Sequence, residues 1–289
     1  MPKLKRFFIT PFIFVLFATS VHILLQLVDH WNNPVGLAWL GAAISVWPWF
    51  GFFVYLISAG RARIPYALDL HHALALTGTL IAVYASYRGA GNAPTAIVEA
   101  VVGLVGGLLY ALWYSRFPRR NRGRLQPGKP LPEFTLADLA GSDVSSREFR
   151  GQTTLILFYR GNWCPLCVAQ VKELAEGYRD LAQRGVAVVL VSPQPQKHTQ
   201  ALAARFDAPM QFMLDPGNRA ARALGIDAPG GIPLGMGLQG YAVDTVLPTL
   251  LIIDGTGTIL FADLTDNYRI RPDPENFLAI LDHGQAEAS

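Results

Sequence analysis

Two hydrophobic regimes divide the chain. Up to about residue 115 the apolar residues come in long blocks: 7–28, 35–58, 66–87 and 95–115, each about a bilayer thickness of helix. Beyond residue 131 they come in short runs separated by turn residues. Residues 153–159 form a β-branched and aromatic run without helical period, which predicts a buried strand. From Pro165 the period turns helical, with Val168, Val171, Leu174, Tyr178 and Leu181 on one face. Strands are predicted at 186–191, 211–214, 250–253 and 259–262, and helices at about 197–206, 218–224 and 274–281. Asp254-Gly255-Thr256-Gly257 between the last two strands is a hairpin signal, and the glycine-rich 225–240 reads as a long loop.

The fold class expected is therefore an α-helical transmembrane bundle of about four spans followed by an α/β domain. The domains are 1–116 in the membrane, a basic linker at 117–130, and 131–289 as one α/β unit. Composition agrees, with 51% hydrophobic and only 16% charged residues in 289. An N-terminal secretory signal is the alternative to an uncleaved first span, but further apolar blocks follow it. The third block is the least apolar, because Asp69, His71 and His72 lie near its start. Those residues read either as interfacial groups or as a metal or proton site, and Glu99 inside the fourth block has the same two readings.

Charge sets orientation. Lys3, Lys5 and Arg6 precede the first block, Arg61 and Arg63 follow the second, and Arg116 to Lys129 carries six basic residues, against Arg88 alone in the opposite loops. The positive-inside rule then makes this an integral, multi-pass membrane protein with its C-terminal domain cytoplasmic. The linker lacks interleaved aromatics, so nucleic acid is not an expected partner, whereas anionic membrane lipid is.

The candidate chemistry is Trp163-Cys164-Pro165-Leu166-Cys167, at the junction of the predicted strand and helix. These are the chain's two cysteines, so neither a disulfide framework nor a four-cysteine zinc site is available, and no metal or other cofactor is expected beyond the dithiol itself. Cys164 would sit at a helix N-terminus, where free N–H groups and the dipole favour a thiolate. Cys167, one turn inside, would be less accessible and placed to resolve a mixed disulfide. Arg160 would add positive potential, Trp163 would pack beside the sulfur, and Tyr159 reads as core or as a neighbour of the dithiol.

With Leu247-Pro248-Thr249 opening the next-to-last strand, the pattern resembles the thioredoxin fold. FYRGNWCPLC, LPTLLIID and YRIRPDPENFLAIL together resemble the peroxiredoxin-like branch of the alkyl hydroperoxide reductase/thiol-specific antioxidant (redoxin) superfamily, over about residues 131–281. The resemblance implies Cys164 as nucleophile, Cys167 as resolving partner, and Pro248 as a cis-proline facing the pair, with Thr249 beside it. It also implies Arg269 or Arg271 as a stabiliser of peroxide or thiolate, the alternative being a solvated ion pair. The sequence departs from typical peroxiredoxins, which carry Thr or Ser three residues before the attacking cysteine and Pro seven before it; here these are Gly161 and Leu157.

The expected function is thus a membrane-anchored thiol–disulfide oxidoreductase or antioxidant. It would reduce hydroperoxides or protein disulfides and be recharged by a dithiol reductant such as a thioredoxin or glutathione system. The alternatives are a membrane redox protein exchanging electrons with a carrier such as a quinone, and a redox-sensitive scaffold.

Overall fold

The structure is a computed structural model that describes residues 2–64, 67–88, 93–117 and 123–286. It divides into two compact units. One comprises residues 7–59 and 65–116; the other gathers residues 1–6, 60–64 and 117–289. A single turn, α1 (Pro2–Lys5), belongs to the second unit.

The helical unit contains α2 (Ile9–His30), α3 (Val35–Ser58), α4 (Asp69–Tyr87) and α5 (Pro94–Leu108), and the last runs on as a π-helical turn, Leu109–Tyr114. Among the described residues three stretches are long and apolar enough to cross a membrane: Ile9–His30, Val35–Ser58 and Pro94–Tyr114. The third expected block appears as α4, which is less apolar than its neighbours; Tyr66 at its expected start lies outside the described residues. Helix α4 nevertheless packs extensively on α3, because Gly41 and Gly78 face each other. A Cβ at Gly78 would run into the Gly41 carbonyl and the Ser45 backbone, so only glycine lets the backbones approach this closely. Ser45 Oγ donates to the Ala100 carbonyl at 2.7 Å and lies 3.5 Å from Thr79 Oγ1, joining α3, α4 and α5 through a polar contact inside apolar packing.

The second unit is built on a seven-stranded mixed sheet. Its strands are β1 (Thr135–Ala137), β2 (Asp143–Ser145), β3 (Thr154–Phe158), β4 (Ala187–Ser192), β5 (Gln211–Leu214), β8 (Thr249–Ile253) and β9 (Ile259–Asp263), in the order β2-β1-β5-β4-β3-β8-β9. A separate ribbon pairs β6 (Asp227–Ala228) with β7 (Thr245–Val246). Strands β3, β4 and β5 are parallel, and β8 returns antiparallel to β3. The crossover helices are α6 (Pro165–Glu176), followed by the short α7 (Tyr178–Gln183), then α8 (Gln196–Ala203) and α9 (Arg219–Leu224); α10 (Pro274–Ala286) closes the chain. Parallel strands joined by helices and then an antiparallel hairpin and helix give the thioredoxin-like arrangement expected.

Strand β3 is central, and all five of its residues are buried, which accounts for its continuous apolar run. Register sets its C-terminal Phe158 beside Val191 of β4 and Thr249 of β8. The end of β3 therefore opens beside the chain leaving β4 and the chain entering β8, the crevice where α/β sheets place ligands. Strands β1 and β2 were not foreseen, being three residues each. Part of the expected linker, 118–122, lies outside the described residues, but Leu125 is in the core and the Gly128 N–H bonds to Ile259 O at 2.8 Å. Residues 123–130 are thus packed on the sheet, because the single apolar Leu125 finds a place in it.

The glycine contact in the helical unit yields a prediction. Gly78→Leu should destabilise the purified protein by about 1–3 kcal/mol of overpacking, read as a lower thermal midpoint. Gly51→Ala, where a Cβ meets nothing within 4 Å, should not lower it.

Candidate active site: a buried dithiol between two arginines

After β3 the chain makes one tight turn before α6. The Cys164 N–H donates to Gly161 O at 3.1 Å, and Gly161 has φ +137°. Glycine is required twice over, since a Cβ there would also lie 3.0 Å from the Trp163 ring. This is a structural reason for Gly161 standing where typical peroxiredoxins carry a hydroxyl. Cys164 is the N-cap of α6 in extended conformation, and Pro165 takes the first helical position, where its missing N–H costs nothing. The Cys167 and Val168 N–H groups both return to Cys164 O, at 3.0 and 3.1 Å.

Both cysteines are free thiols and both are buried, 2% exposed for Cys164 and none for Cys167. The expected contrast in accessibility is therefore small, since the turn and α6 fold over both sulfurs. The two thiols titrate as one coupled pair. Burial works against a Cys167 thiolate, but the Cys164 S–H bond, the Arg271 charge and the Arg160 backbone N–H and charge outweigh it and bring its pKa down to about 6. The hydrogen bond to Cys167, burial and the Cys167 charge push Cys164 well above the ordinary thiol range, against Arg160 and Arg271. At neutral pH the two sulfurs thus share one proton and one negative charge. The positive charges of Arg160 and Arg271 favour the thiolate form of both cysteines.

Arg160 is buried, with Nη2 donating to Gly231 O at 2.6 Å and its guanidinium 4.4 Å from the Trp163 ring centroid. Trp163 thus stacks on a cation beside the dithiol. Arg271 is also buried, and its Nη1 donates to Ile270 O at 2.7 Å. Among the described residues, Arg160 Nε, Arg271 Nε and Nη2, and Trp163 Nε1 are buried donors without a hydrogen-bond partner. Such a set of donors around a thiolate suits an oxyanion or a peroxide oxygen. Lys5 adds to this positive region: burial and the Arg160 charge lower its pKa to about 8.

Tyr159 is fully buried, and burial holds its phenol well protonated. Its Oη accepts from Gln194 Nε2 at 3.1 Å, so its first role is structural. Gln194 is the hub of this corner. Its Nε2 also lies within 2.9 Å of Asn162 Oδ1 and 3.1 Å of Thr199 Oγ1, while its Oε1 accepts the Asn162 N–H at 2.9 Å. It was not foreseen; its place just past the end of a parallel strand was the available signal.

Pro248 requires a correction. No cis peptide bond is present among the described residues, so Leu247-Pro248 is trans. These two residues link β7 of the ribbon to β8 of the main sheet, and trans is the ordinary state of an X-Pro bond. Thr249 is buried, with Oγ1 donating to Leu247 O at 2.9 Å. Arg269 is also buried, with its N–H bonded to Asn267 Oδ1 and its carbonyl accepting the Ile64 N–H at 3.1 Å. Of the two arginines the resemblance suggested, Arg271 is the one whose charge favours both thiolates.

Arg63 braces the site from a distance in sequence. It makes a two-pronged pair with Glu173 of α6 (2.9 and 2.8 Å), meets Asp273 at 2.7 Å, and bonds Pro272 O at 3.2 Å. The helix carrying the cysteines and the segment carrying Arg271 are thereby held by one side chain. Among the described residues no group of three or more His, Cys, Asp or Glu side chains is gathered for a metal. In the helical unit, His71 and His72 lie against Trp49, ring centroids 5.4 and 5.3 Å away, and Glu99 pairs with His22.

Residues 127–262, all within the sheet unit, are similar to the AhpC/TSA family. Over 123 residues the chain is 29% identical to "Peroxiredoxin Q, chloroplastic" of Gentiana triflora, covering 42% of this chain and 55% of the relative. It is 23% identical over 165 residues to "Thiol-disulfide oxidoreductase ResA" of Bacillus cereus, covering 57% of this chain and 82% of that one. The chain spans little more than half the length of the peroxiredoxin Q relatives it matches. Among solved structures, Peroxidoxin BcpB from Mycobacterium tuberculosis aligns with TM-score 0.44 and 17% identity, over 55% of this chain and 97% of that one.

The coupled pair sets a titration. Thiolate absorbance at 240 nm should rise by one equivalent with a midpoint near pH 6, and the second equivalent should appear only in strongly alkaline solution. Arg271→Ala should move the first midpoint upward, since a cation beside the thiolate is lost, and Arg271→Lys should restore part of the shift. An unmoved midpoint in Arg271→Ala would remove this arginine from the site.

Proposed function

We propose that the chain is a membrane-bound thiol oxidoreductase of peroxiredoxin-like type, working through the Cys164–Cys167 dithiol. The carrying observation is the buried dithiol at the N-terminus of α6, whose thiolates are favoured by two buried arginines with donors left over. The family match and the relatives, one called a peroxiredoxin and one a thiol–disulfide oxidoreductase, support redox chemistry of this class.

Cys164 is the attacking sulfur in this reading, because it sits at the open end of α6 while Cys167 lies one turn inside. As the acceptor approaches, the shared proton passes to Cys167 and the Cys164 thiolate attacks. With a hydroperoxide the O–O bond breaks, Cys164 becomes a sulfenic acid, and the departing alkoxide takes the Cys167 proton and leaves as the alcohol; the Cys167 thiolate then closes the disulfide, and the hydroxide it displaces takes a proton from solvent to leave as water. With a disulfide acceptor, Cys164 forms a mixed disulfide that Cys167 resolves. Either route withdraws two electrons from the dithiol, which an external dithiol restores. Arg160 and Arg271 would steady the oxygen or thiolate that leaves.

The membrane part would hold the domain at the bilayer through four spans, α4 being the third, with the sheet unit on the cytoplasmic side by charge distribution. Neither cysteine lies in the helical unit, so no second thiol pair is available there to carry electrons onward.

Cys164→Ser should abolish turnover of both hydroperoxide and a model disulfide by the full chain. Cys167→Ser should trap a mixed disulfide on Cys164. Trapping on Cys167 in the Cys164→Ser variant, with none in the reverse, would exchange the two roles. A topology reporter fused after Ser289 should read cytoplasmic, and an exported reading would overturn the orientation.

A further inference from the structure

Within residues 123–282, the large hydrophobic side chains that stand exposed are confined to one loop: Leu234 (39%), Leu238 (95%) and Val243 (48%). Scattered exposed leucines are ordinary, but a cluster restricted to one loop of an otherwise well-covered domain marks a contact surface. The loop joins β6 to β7 and turns through Met236–Gln239 between Gly235 and Gly240, with φ of +95° and +85°. From residue 229 to 243 it contains no charged side chain.

The loop is held in place. The Ile232 N–H bonds to Val243 O at 3.1 Å and the Gly230 N–H to Asp244 Oδ1 at 2.8 Å. Tyr241 stacks on His198 with ring centroids 4.4 Å apart, and His198 Nε2 lies 2.9 Å from Gln239 O. Leucine 238 is therefore presented at the tip of a braced turn.

What covers this tip follows from chain connectivity. The Leu234 N–H bonds to Arg6 O at 2.9 Å. Ile9, where the apolar helix α2 begins, is three residues beyond Arg6, no more than about 11 Å of extended chain. The same N-terminal segment carries Leu4, 63% exposed. Exposed apolar side chains on an uncharged loop, tied to the segment that leads into an apolar helix, suit an interfacial membrane contact.

We propose that the 234–243 loop is a membrane-inserting loop, with Leu238 entering the headgroup–acyl boundary of the bilayer that α2 crosses. The proposal rests on α2 being a membrane span, and its test separates the two. In a Cys164→Ser/Cys167→Ser background, a nitroxide is attached at Leu238→Cys, at Ser142→Cys in the exposed β1–β2 turn, or at Leu24→Cys on the exposed face of α2. The full chain is reconstituted into phosphatidylcholine–phosphatidylglycerol vesicles. Collision with oxygen is then compared with collision with a water-soluble nickel chelate. The ratio should be several-fold higher at Leu238 than at Ser142 and should approach that at Leu24. A water-like ratio at Leu238 with a lipid-like ratio at Leu24 overturns the loop's insertion and leaves the span intact. A Leu238 label shielded from both reagents overturns it in favour of a protein partner or a second copy. A water-like ratio at Leu24 overturns the span, and the loop proposal falls with it.

Discussion

A thiolate buried in protein must have its charge answered locally, and the sheet unit is arranged around that constraint. The two sulfurs lie where water hardly reaches, so hydration cannot stabilise the charge. Two arginines, an N–H from the strand-to-helix turn and the second thiol stand in for it. The same arrangement explains why the cysteines' protons separate so widely, since the low-dielectric site tolerates one negative charge and resists a second.

Holding these groups together draws on distant parts of the chain. Strand β3 delivers the turn, its register with β4 delivers Gln194, and the segment before α10 delivers Arg271. Arg63 contributes by tying α6 to the Arg271 segment. Each of its ion pairs is part-exposed and worth about 1 kcal/mol or less, so its value is in orientation more than in stability. Arg160 carries two functions, bonding the 225–240 region through Gly231 and stacking on Trp163.

The helical unit obeys a different rule. Its contacts rest on small residues that let helices meet at their backbones, and α4 is held by the Gly41–Gly78 approach despite its polar start. His71 and His72 pack on the Trp49 ring, a use for polar rings that hydropathy alone does not register.

Sequence pattern alone located the two regimes, the strand and the dithiol at the start of α6, because each has a local cause: hydrophobic period, and proline at the first position of the helix. The Asp254–Gly257 hairpin was legible for the same reason, since the Asp254 carboxylate organises its own turn. Tertiary structure decided what depends on groups distant in the chain. It brought the charge of Arg271 to bear on both sulfurs, brought in Gln194 and Arg63, kept Leu247-Pro248 trans, and packed Leu125 into the core. A helix terminus can be read from sequence, but the charges that surround a buried sulfur are assembled only when the chain folds.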